Sequence, residues 1–403
     1  MPSKKYSYRK PLFLIEKFML FLPATAMFKL FLRLFILIIN LLFISNAHAQ
    51  DEKPLQGFGI EANFLAGKII KHTAKFKAPV PPLSTALDVN FVWQTYGKKE
   101  WQQRRNFPLI GVGFTYTDYG NDQVFGNSVG IYPNLQIPLL RNEKIEWTLR
   151  LGDGIGYVTR KNQTTAPVDT INNAIGSHLN DFAIFMMDVR IHIDKHWHLQ
   201  FGGNFTHISN ADYHSPNLGV NMGGGHIGLQ YFPNSCRPKC IIKECPALKN
   251  RWLVEMQAGI SYKEARAAGN PVLPTYLGSV YLSRRWLCKN KLYGGVDYAF
   301  HNDVLAFLNT YCDNYVPKRQ HSWDGAVFAG NEFLLGRLGI ITQIGVYYKQ
   351  TYLKFVPVYE KIGGNYYFIQ NEQGPVKELF LYTRLLTHGF VAELAEFGVG
   401  VGL

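Results

Sequence analysis

Outside its first 49 residues the chain has no uninterrupted apolar run of about 18 residues, the length that a transmembrane helix needs. A helical membrane protein is therefore excluded. Charged residues are scarce, at 18%, whereas aromatic residues reach 14%, and this excludes a disordered or low-complexity chain. The 37 glycines are many for a helical protein and suit a β-structure. The length of 403 residues allows two or three ordinary domains or one large β domain.

The net charge of +13 does not indicate a nucleic-acid partner. The chain has 42 Lys and Arg and 29 Asp and Glu residues. Residues 1–49 contain seven of the basic residues and one of the acidic residues. The rest of the chain contains 35 basic and 28 acidic residues, which is a modest net charge of +7. No arginine-rich run or zinc-finger spacing accompanies it, so no nucleic-acid binding is expected.

Residues 1–49 have the pattern of a secretory signal peptide. Lys29 and Arg33 form a basic region, the run from Leu34 to Ile44 is apolar, and Ala47-His48-Ala49 has the small residues of a cleavage site. The alternative, a membrane anchor, is disfavoured because this apolar run is short and contains an asparagine. The leader is long, which leaves three methionines open as the true start: Met1, Met19 and Met27.

Cysteine is rare and confined to the second half of the chain. The cluster Cys236, Cys240 and Cys245 is compatible with a metal site, but structural zinc sites usually have tighter paired spacings. In an exported protein a disulfide within this cluster is the better prediction. With Cys288 and Cys312 the count is odd, so at least one thiol is free or paired outside the chain. No metal or cofactor is expected.

The body of the chain alternates apolar with small or polar residues, which predicts β-strands. The segment 197–209 is the clearest case, since Trp197, Leu199 and Phe201 alternate with His198 and polar neighbours. Such segments are longer than the strands of a soluble sandwich. Short turns also alternate with long loops, which is typical of an outer-membrane barrel. The sequence therefore predicts an all-β protein: a transmembrane, antiparallel, up-and-down β-barrel behind a signal peptide.

About sixteen strands are predicted, with fourteen as the fallback. An even number places both termini on the periplasmic side. Segment 233–250 interrupts the alternating pattern after the eighth strand. It is either a large periplasmic turn within one barrel or a joint between two eight-stranded units. A single barrel over residues 50–403 is the favoured interpretation. The predicted strands lie near 57–71, 85–96, 107–118, 124–140, 144–159, 179–193, 197–209, 218–232, 251–263, 275–287, 291–302, 322–334, 337–348, 361–370, 378–388 and 392–403.

Three polar residues fall on the face that should meet lipid. His207 and Ser209 share the parity of Trp197, and Asn221 shares that of Ile227 in the next strand. They converge at the long-loop end, near the outer leaflet boundary. Polar groups there are costly unless they are paired or interfacial. The alternative interpretation is that His207 and Ser209 lie in the headgroup zone and have no function.

The segment 207–221 resembles the active-site segment of the outer-membrane lipid A 3-O-deacylase family, also labelled acyloxyacyl hydrolase. The family pattern is His-x-Ser-Asn, then Pro-Asn-x-Gly, then an acid two residues after that glycine. Residues 233–403 extend beyond the short members and look like the longer, Bacteroidetes-type ones. The matching residues are His207, Ser209, Asn210, Pro216, Asn217 and Gly219.

The resemblance implies a carboxylic ester hydrolase of the outer membrane that removes an ester-linked acyl chain from lipid A, without a cofactor. Ser209 is then the nucleophile, His207 the base, and the Asn210–Asn217 loop with Gly219 the oxyanion site. A serine needs a base and its tetrahedral intermediate needs donors, so the chemistry is consistent. Residues 50–232 form the deacylase-like part and residues 233–403 the additional strands.

One position departs from the family pattern, because Asn221 stands where the acid is expected. An amide orients a histidine but does not stabilise imidazolium by charge. Asp212 is an alternative acid within the loop. The alternatives for the whole chain are a non-catalytic porin or lipid-binding barrel that has lost its acid, and an acyltransferase. The sequence leaves open the acyl position that is cleaved and the oligomeric state.

Overall fold

The computed structural model describes residues 56–403 apart from nine short stretches. The predicted signal peptide lies outside the described residues. Among the residues that are described, no helix is long and apolar enough to cross a membrane. The omitted stretches within 56–403 are 164–168, 235–239, 243–250, 266–269, 287–288, 313–316, 354–355, 372 and 390.

The first half of the chain forms a closed antiparallel barrel of eight strands. Each strand pairs with its neighbours in sequence, and β1 closes the sheet by pairing with β8, from Ile60 opposite Tyr231 to Ile69 opposite Met222. A short helix, α1 (Glu100–Arg104), lies between β2 and β3. The strands are β1 (Phe58–Ile69), β2 (Ser84–Gln94), β3 (Leu109–Asp118), β4 (Asn127–Arg141), β5 (Ile145–Val158), β6 (Leu179–His192), β7 (Trp197–Ser209) and β8 (Val220–Tyr231).

The second half forms another closed antiparallel barrel of eight strands. Here β9 pairs with β16, and a helix, α2 (Asn302–Tyr311), occupies part of the loop between β11 and β12. The strands are β9 (Trp252–Glu264), β10 (Val272–Trp286), β11 (Asn290–His301), β12 (Trp323–Leu335), β13 (Leu338–Lys349), β14 (Val358–Gln370), β15 (Glu378–His388) and β16 (Val391–Gly402).

The prediction of an all-β antiparallel fold with sixteen strands is confirmed, but the preference for a single barrel is wrong. In one barrel β8 would pair with β9, whereas β8 pairs with β1 and β9 with β16. The physical reason is that alternation is a local property of each strand. Closure depends on which distant strands share backbone hydrogen bonds, and the alternating pattern is the same for one large barrel or two small ones. Neither helix was predicted.

Charged side chains cross the lumen of the first barrel. Arg150 is fully buried and forms ion pairs with Glu61 and, at 2.7 Å between Nη1 and Oδ2, with Asp88. Arg190 adds a longer contact of 3.4 Å to Glu61. An eight-stranded barrel has an interior just wide enough for side chains to fill, and these do so.

The second barrel is filled in the same way around one lysine. Lys291 Nζ lies 2.8 Å from Glu378, 3.0 Å from Glu255 and 3.1 Å from Glu332. Buried charges are tolerated only where such partners are present. The charged groups inside each barrel are therefore paired and share the lumen with buried apolar side chains, while the outward face is largely apolar.

Replacing Arg150 with alanine is expected to lower the free energy of unfolding by about 3–5 kcal/mol, because Glu61 and Asp88 would stay buried without their cation. Urea titration of the refolded barrel in detergent, followed by the mobility shift between folded and unfolded protein on a gel, measures this loss. The matched control is Arg104→Ala, which removes a pair with the exposed Glu100 within α1 and is expected to lose about 1 kcal/mol or less. Equal losses in the two variants would contradict the assignment.

Candidate functional site

His207 and Ser209 lie at the last residues of β7, on the outer side of the first barrel. Trp197 and Phe201 share their parity and are 43% and 41% exposed, whereas Ile208, between His207 and Ser209, is buried among apolar side chains inside the barrel. Ten residues separate Trp197 from His207. At about 3.3 Å a residue and a tilt of about 40°, this corresponds to about 25 Å along the barrel axis, the height of the apolar band of such barrels.

A continuous chain of hydrogen bonds runs from Ser209 through His207 to Asn221. His207 Nε2 lies 2.9 Å from Ser209 Oγ, and His207 Nδ1 lies 2.5 Å from Asn221 Oδ1. Residues 207 and 221 are directly opposite each other in the ladder of β7 and β8, which is why their side chains meet. The amide oxygen only accepts hydrogen bonds, so Nδ1 carries the proton and Nε2 is left to accept from the serine hydroxyl.

The chain extends to a residue that sequence reasoning missed. Asn221 Nδ2 lies 3.0 Å from His72 Nδ1, in the loop between β1 and β2. Since Asn221 turns its oxygen to His207, its amide N–H donates to His72, whose Nδ1 must therefore be unprotonated. Desolvation of the half-buried ring lowers the pKa of His72 below its usual value, which favours this neutral form. No short-range sequence pattern marks His72, because the closure of β1 on β8 brings it to the site.

The loop between β7 and β8 folds back over the end of Ser209. The backbone N–H of Asn210 donates to Asn217 Oδ1 at 3.0 Å, and the Asn210 side-chain amide donates to Ser177 Oγ at 2.8 Å and to the carbonyl oxygen of His214 at 2.9 Å. Asn217 Nδ2 is buried and has no hydrogen-bond partner among the described residues. A buried, unpartnered donor is costly, and it lies beside the residue that follows Ser209.

Gly219 ends this loop against the His207 ring. Its φ is +71°, and a Cβ at this position would lie 2.9 Å from His207 Cε1 and 3.2 Å from Ser209 Cβ. Its backbone N–H donates to the carbonyl oxygen of Ala174 at 2.9 Å. Glycine is required here both by the backbone conformation and by the close approach of the ring.

The alternative acid Asp212 points to a different partner. Its Oδ2 lies 3.1 Å from Lys263 Nζ at the end of β9, while the Nδ1 position of His207 is occupied by Asn221. The structure therefore brings together His207, Ser209 and Asn221, with Asn210, Asn217 and Gly219 around them, and directs Asp212 to the second barrel.

The cysteine cluster lies mostly outside the described residues. Cys240 has an exposed, free thiol, and Cys236 and Cys245 are not described, so a disulfide between those two stays a prediction. Cys312, after α2, is also free, and Cys288 is not described. Within the described ranges, no group of three or more His, Cys, Asp and Glu side chains is arranged to hold a metal ion.

Two solved barrels illustrate what the chain resembles. The outer membrane enzyme PagL is 17% identical, with a TM-score of 0.27, over 42% of this chain and 98% of that one. A mutant of the Rhodopseudomonas blastica porin is 9% identical, with a TM-score of 0.19, over 86% of this chain and 99% of that one. No curated protein matches the chain.

Two family models match the chain, one for each barrel. The model described as lipid A 3-O-deacylase (PagL) matches residues 85–230, from β2 to the end of β8. The model described as acyloxyacyl hydrolase, C-terminal domain, matches residues 251–403, which include all of β9 to β16. Between them they span well over half of the chain, and both are models of the PagL family. The chain therefore belongs to the lipid A 3-O-deacylase (acyloxyacyl hydrolase) family, as a member that carries the family's C-terminal domain as a second barrel.

Proposed function

We propose that this protein is an outer-membrane lipid A deacylase, a carboxylic ester hydrolase that uses Ser209 as its nucleophile. The observation that carries the proposal is the hydrogen-bonded chain of Ser209, His207 and Asn221 on the outer wall of a barrel. The ester carbonyls of a membrane lipid lie at headgroup level, the level of a nucleophile at the rim of the apolar band, and Ser209, which is 2% exposed beneath its loop, acts there without extraction of the lipid. The proposed location is the bacterial outer membrane, after export by the signal peptide.

The reaction follows from the proton positions. His207 Nε2 accepts the Ser209 hydroxyl proton as Oγ attacks the ester carbonyl, and Asn221 keeps the ring in the tautomer that makes Nε2 available. The same proton then passes to the departing lipid A hydroxyl, which leaves an acyl-serine. A water molecule, deprotonated by His207, hydrolyses the acyl-serine and releases the fatty acid.

Asn217 Nδ2 is the side-chain donor that we assign to the oxyanion. An oxyanion donor has to be free in the resting enzyme and aimed at the place where charge develops. The N–H groups of Asn210 and the backbone N–H of Gly219 already have acceptors, whereas Asn217 Nδ2 has no partner among the described residues. Asn210 and Gly219 then shape the loop, and Asn217 supplies the hydrogen bond.

The non-catalytic alternatives have less support. In each barrel charged side chains pack across the lumen, which fits a filled eight-stranded barrel rather than an aqueous pore. A barrel that had lost its activity would have no reason to keep a histidine hydrogen-bonded on both sides at the lipid face. Transfer to a lipid acceptor uses the same acyl-serine, and the product of the reaction distinguishes it from hydrolysis.

The function is tested by expressing the protein in a Gram-negative outer membrane and recording mass spectra of lipid A. Wild type is expected to remove one hydroxyacyl chain, and Ser209→Ala and His207→Ala are expected to lower that activity by about 10⁴-fold or more, since either change abolishes the activated nucleophile. Release of free fatty acid identifies hydrolysis, and an acylated second lipid identifies transfer. If both the correctly inserted wild type and the Asn221→Glu variant, which restores the family's acid, leave lipid A unchanged, the deacylase proposal is refuted for this substrate.

Asn217→Asp is expected to lower kcat by about 10²–10³-fold with little change in KM, because the aspartate keeps an oxygen for the Asn210 N–H but loses the amide donor. The matched control is Asn106→Asp, at a loop asparagine whose amide donates to Pro138 at the opposite end of the barrel. Turnover of lipid A in detergent measures both. A kcat for Asn217→Asp equal to that of the control would remove Asn217 from the oxyanion site.

His72→Gln is expected to change the acid side of the pH profile. Desolvation lowers the pKa of His72, so the ring stays neutral to a lower pH than an ordinary histidine and gains a proton only on the acid side of the profile. The proton then turns Nδ1 into a donor that opposes the Asn221 amide. In wild type both His72 and His207 must be neutral, so the slope of log(kcat/KM) against pH approaches about 2 at low pH. In His72→Gln only His207 titrates, and the slope approaches about 1.

The control for this measurement is His321→Gln, a histidine in the β11–β12 loop of the second barrel, which should leave the slope at that of wild type. A slope for His72→Gln that stays near that of wild type would show that His72 does not orient Asn221.

A further inference from the structure

Glu264, the last residue of β9, is buried on the side of its strand where its neighbours are exposed. It shares the outward parity of Met256 and Tyr262, which are 45% and 50% exposed, yet it is only 4% exposed. A carboxylate is seldom buried at a barrel surface unless a partner satisfies it. Its cover comes from the first barrel, from the loop that follows Ser209.

The Glu264 carboxylate makes two contacts with that loop. Its Oε2 accepts the backbone N–H of Ser215 at 2.6 Å, and its Oε1 lies 3.7 Å from His214 Nδ1. A hydrogen bond between a charged acceptor and a backbone N–H is stronger than a neutral one. The contact therefore fixes the position of the loop's main chain as well as that of a side chain.

Lys263 adds a second attachment, one residue earlier in β9. Its Nζ lies 3.1 Å from Asp212 Oδ2 in the same loop and 3.8 Å from Glu393 at the start of β16. Two adjacent residues of the second barrel thus hold two points of the loop, at residues 212 and 215.

The loop needs such support because its backbone is strained. Ala211 and Asp212 have φ values of +53° and +63°, in the left-handed region that residues other than glycine rarely adopt. A strained conformation persists only where its surroundings hold it. On the far side, the first barrel holds residues 217 and 219, through the bridge between Ile175 and Asn217 and the Gly219 N–H bond to Ala174.

We propose that the second barrel is a positioning element for the reaction, and that Glu264 is the residue through which it acts. Glu264 holds the 210–219 loop in the conformation in which Asn217 Nδ2 faces the oxyanion at Ser209. This inference rests on the proposed function and assigns to residues 251–403 a part in the same site. Glu264 touches neither the ester nor Ser209, so its effect is on turnover and not on lipid binding.

The test compares Glu264→Ala and Glu264→Gln with a matched control, Glu360→Ala. Glu360 is another outer-rim glutamate of the second barrel, and its carboxylate accepts a backbone N–H from Gly389 at 3.1 Å, within its own barrel. Glutamine at position 264 keeps an oxygen that accepts the Ser215 N–H. Folding of each variant is verified by the gel mobility shift of the closed barrels.

In the kinetic arm, Glu264→Ala is expected to lower kcat by about 10- to 100-fold with KM within about twofold of wild type. Glu264→Gln is expected to recover most of that loss, and Glu360→Ala to behave as wild type. An unchanged kcat in Glu264→Ala would overturn the proposal. So would a raised KM at constant kcat, because that result makes Glu264 part of the lipid-binding surface.

A second arm measures hydrogen exchange of the 210–219 peptides by mass spectrometry and does not depend on activity. Faster exchange in Glu264→Ala, but not in Glu360→Ala, supports the attachment of the loop, and unchanged exchange overturns it. If wild type fails to deacylate lipid A, the proposed function fails, and this arm still decides whether the second barrel holds the loop.

Discussion

The structure depends on one constraint, that a strand facing lipid must find hydrogen-bond partners for its whole backbone within the protein. Closed sheets satisfy this requirement because they have no edge. In this chain the sheet closes twice, through β1 with β8 and through β9 with β16. Each closure brings distant segments together at the rim. The first one places His72, from the β1–β2 loop, beside Asn221 in β8.

Closure at eight strands also determines what the lumen contains. An interior of that width has room for side chains, and charged groups that point inward must be paired. Arg150 in the first barrel and Lys291 in the second each lie among carboxylates. These filled barrels serve as rigid scaffolds, and the chemistry that we propose takes place on the outer wall.

The candidate site consists of four groups that are uncharged in the arrangement described. Ser209, His207, Asn221 and the neutral His72 form a chain in which each donor meets an acceptor. A glutamate at position 221 would stabilise imidazolium but would have to be desolvated at the lipid boundary. The amide avoids that cost and relies on hydrogen bonding alone to orient the ring. This difference explains why the orientation of Asn221, and therefore His72, matters for the proposed reaction.

The sequence by itself determined the properties that repeat along a strand. Alternation of period two was enough to predict the strands, as 197–209 for β7 illustrates, and the parity of His207 and Ser209 was enough to assign them to the face of Trp197. Both results depend on neighbours within one or two strands. Asn217 and Gly219 were identified by the resemblance of the segment 207–221 to the family's active-site segment, which is also a local pattern.

Only the tertiary structure decided what depends on contacts between distant segments. The division into two barrels follows from the register of β1 with β8, and alternation carries no information about it. His72 reaches Asn221 from 149 positions away, and Glu264 reaches Ser215 from 49. Asp212, a candidate acid by proximity in sequence, turns to Lys263 because the second barrel lies against its loop. Strand alternation and short motifs can be read from neighbouring residues, whereas the contacts of a side chain with distant segments depend on how the sheets close.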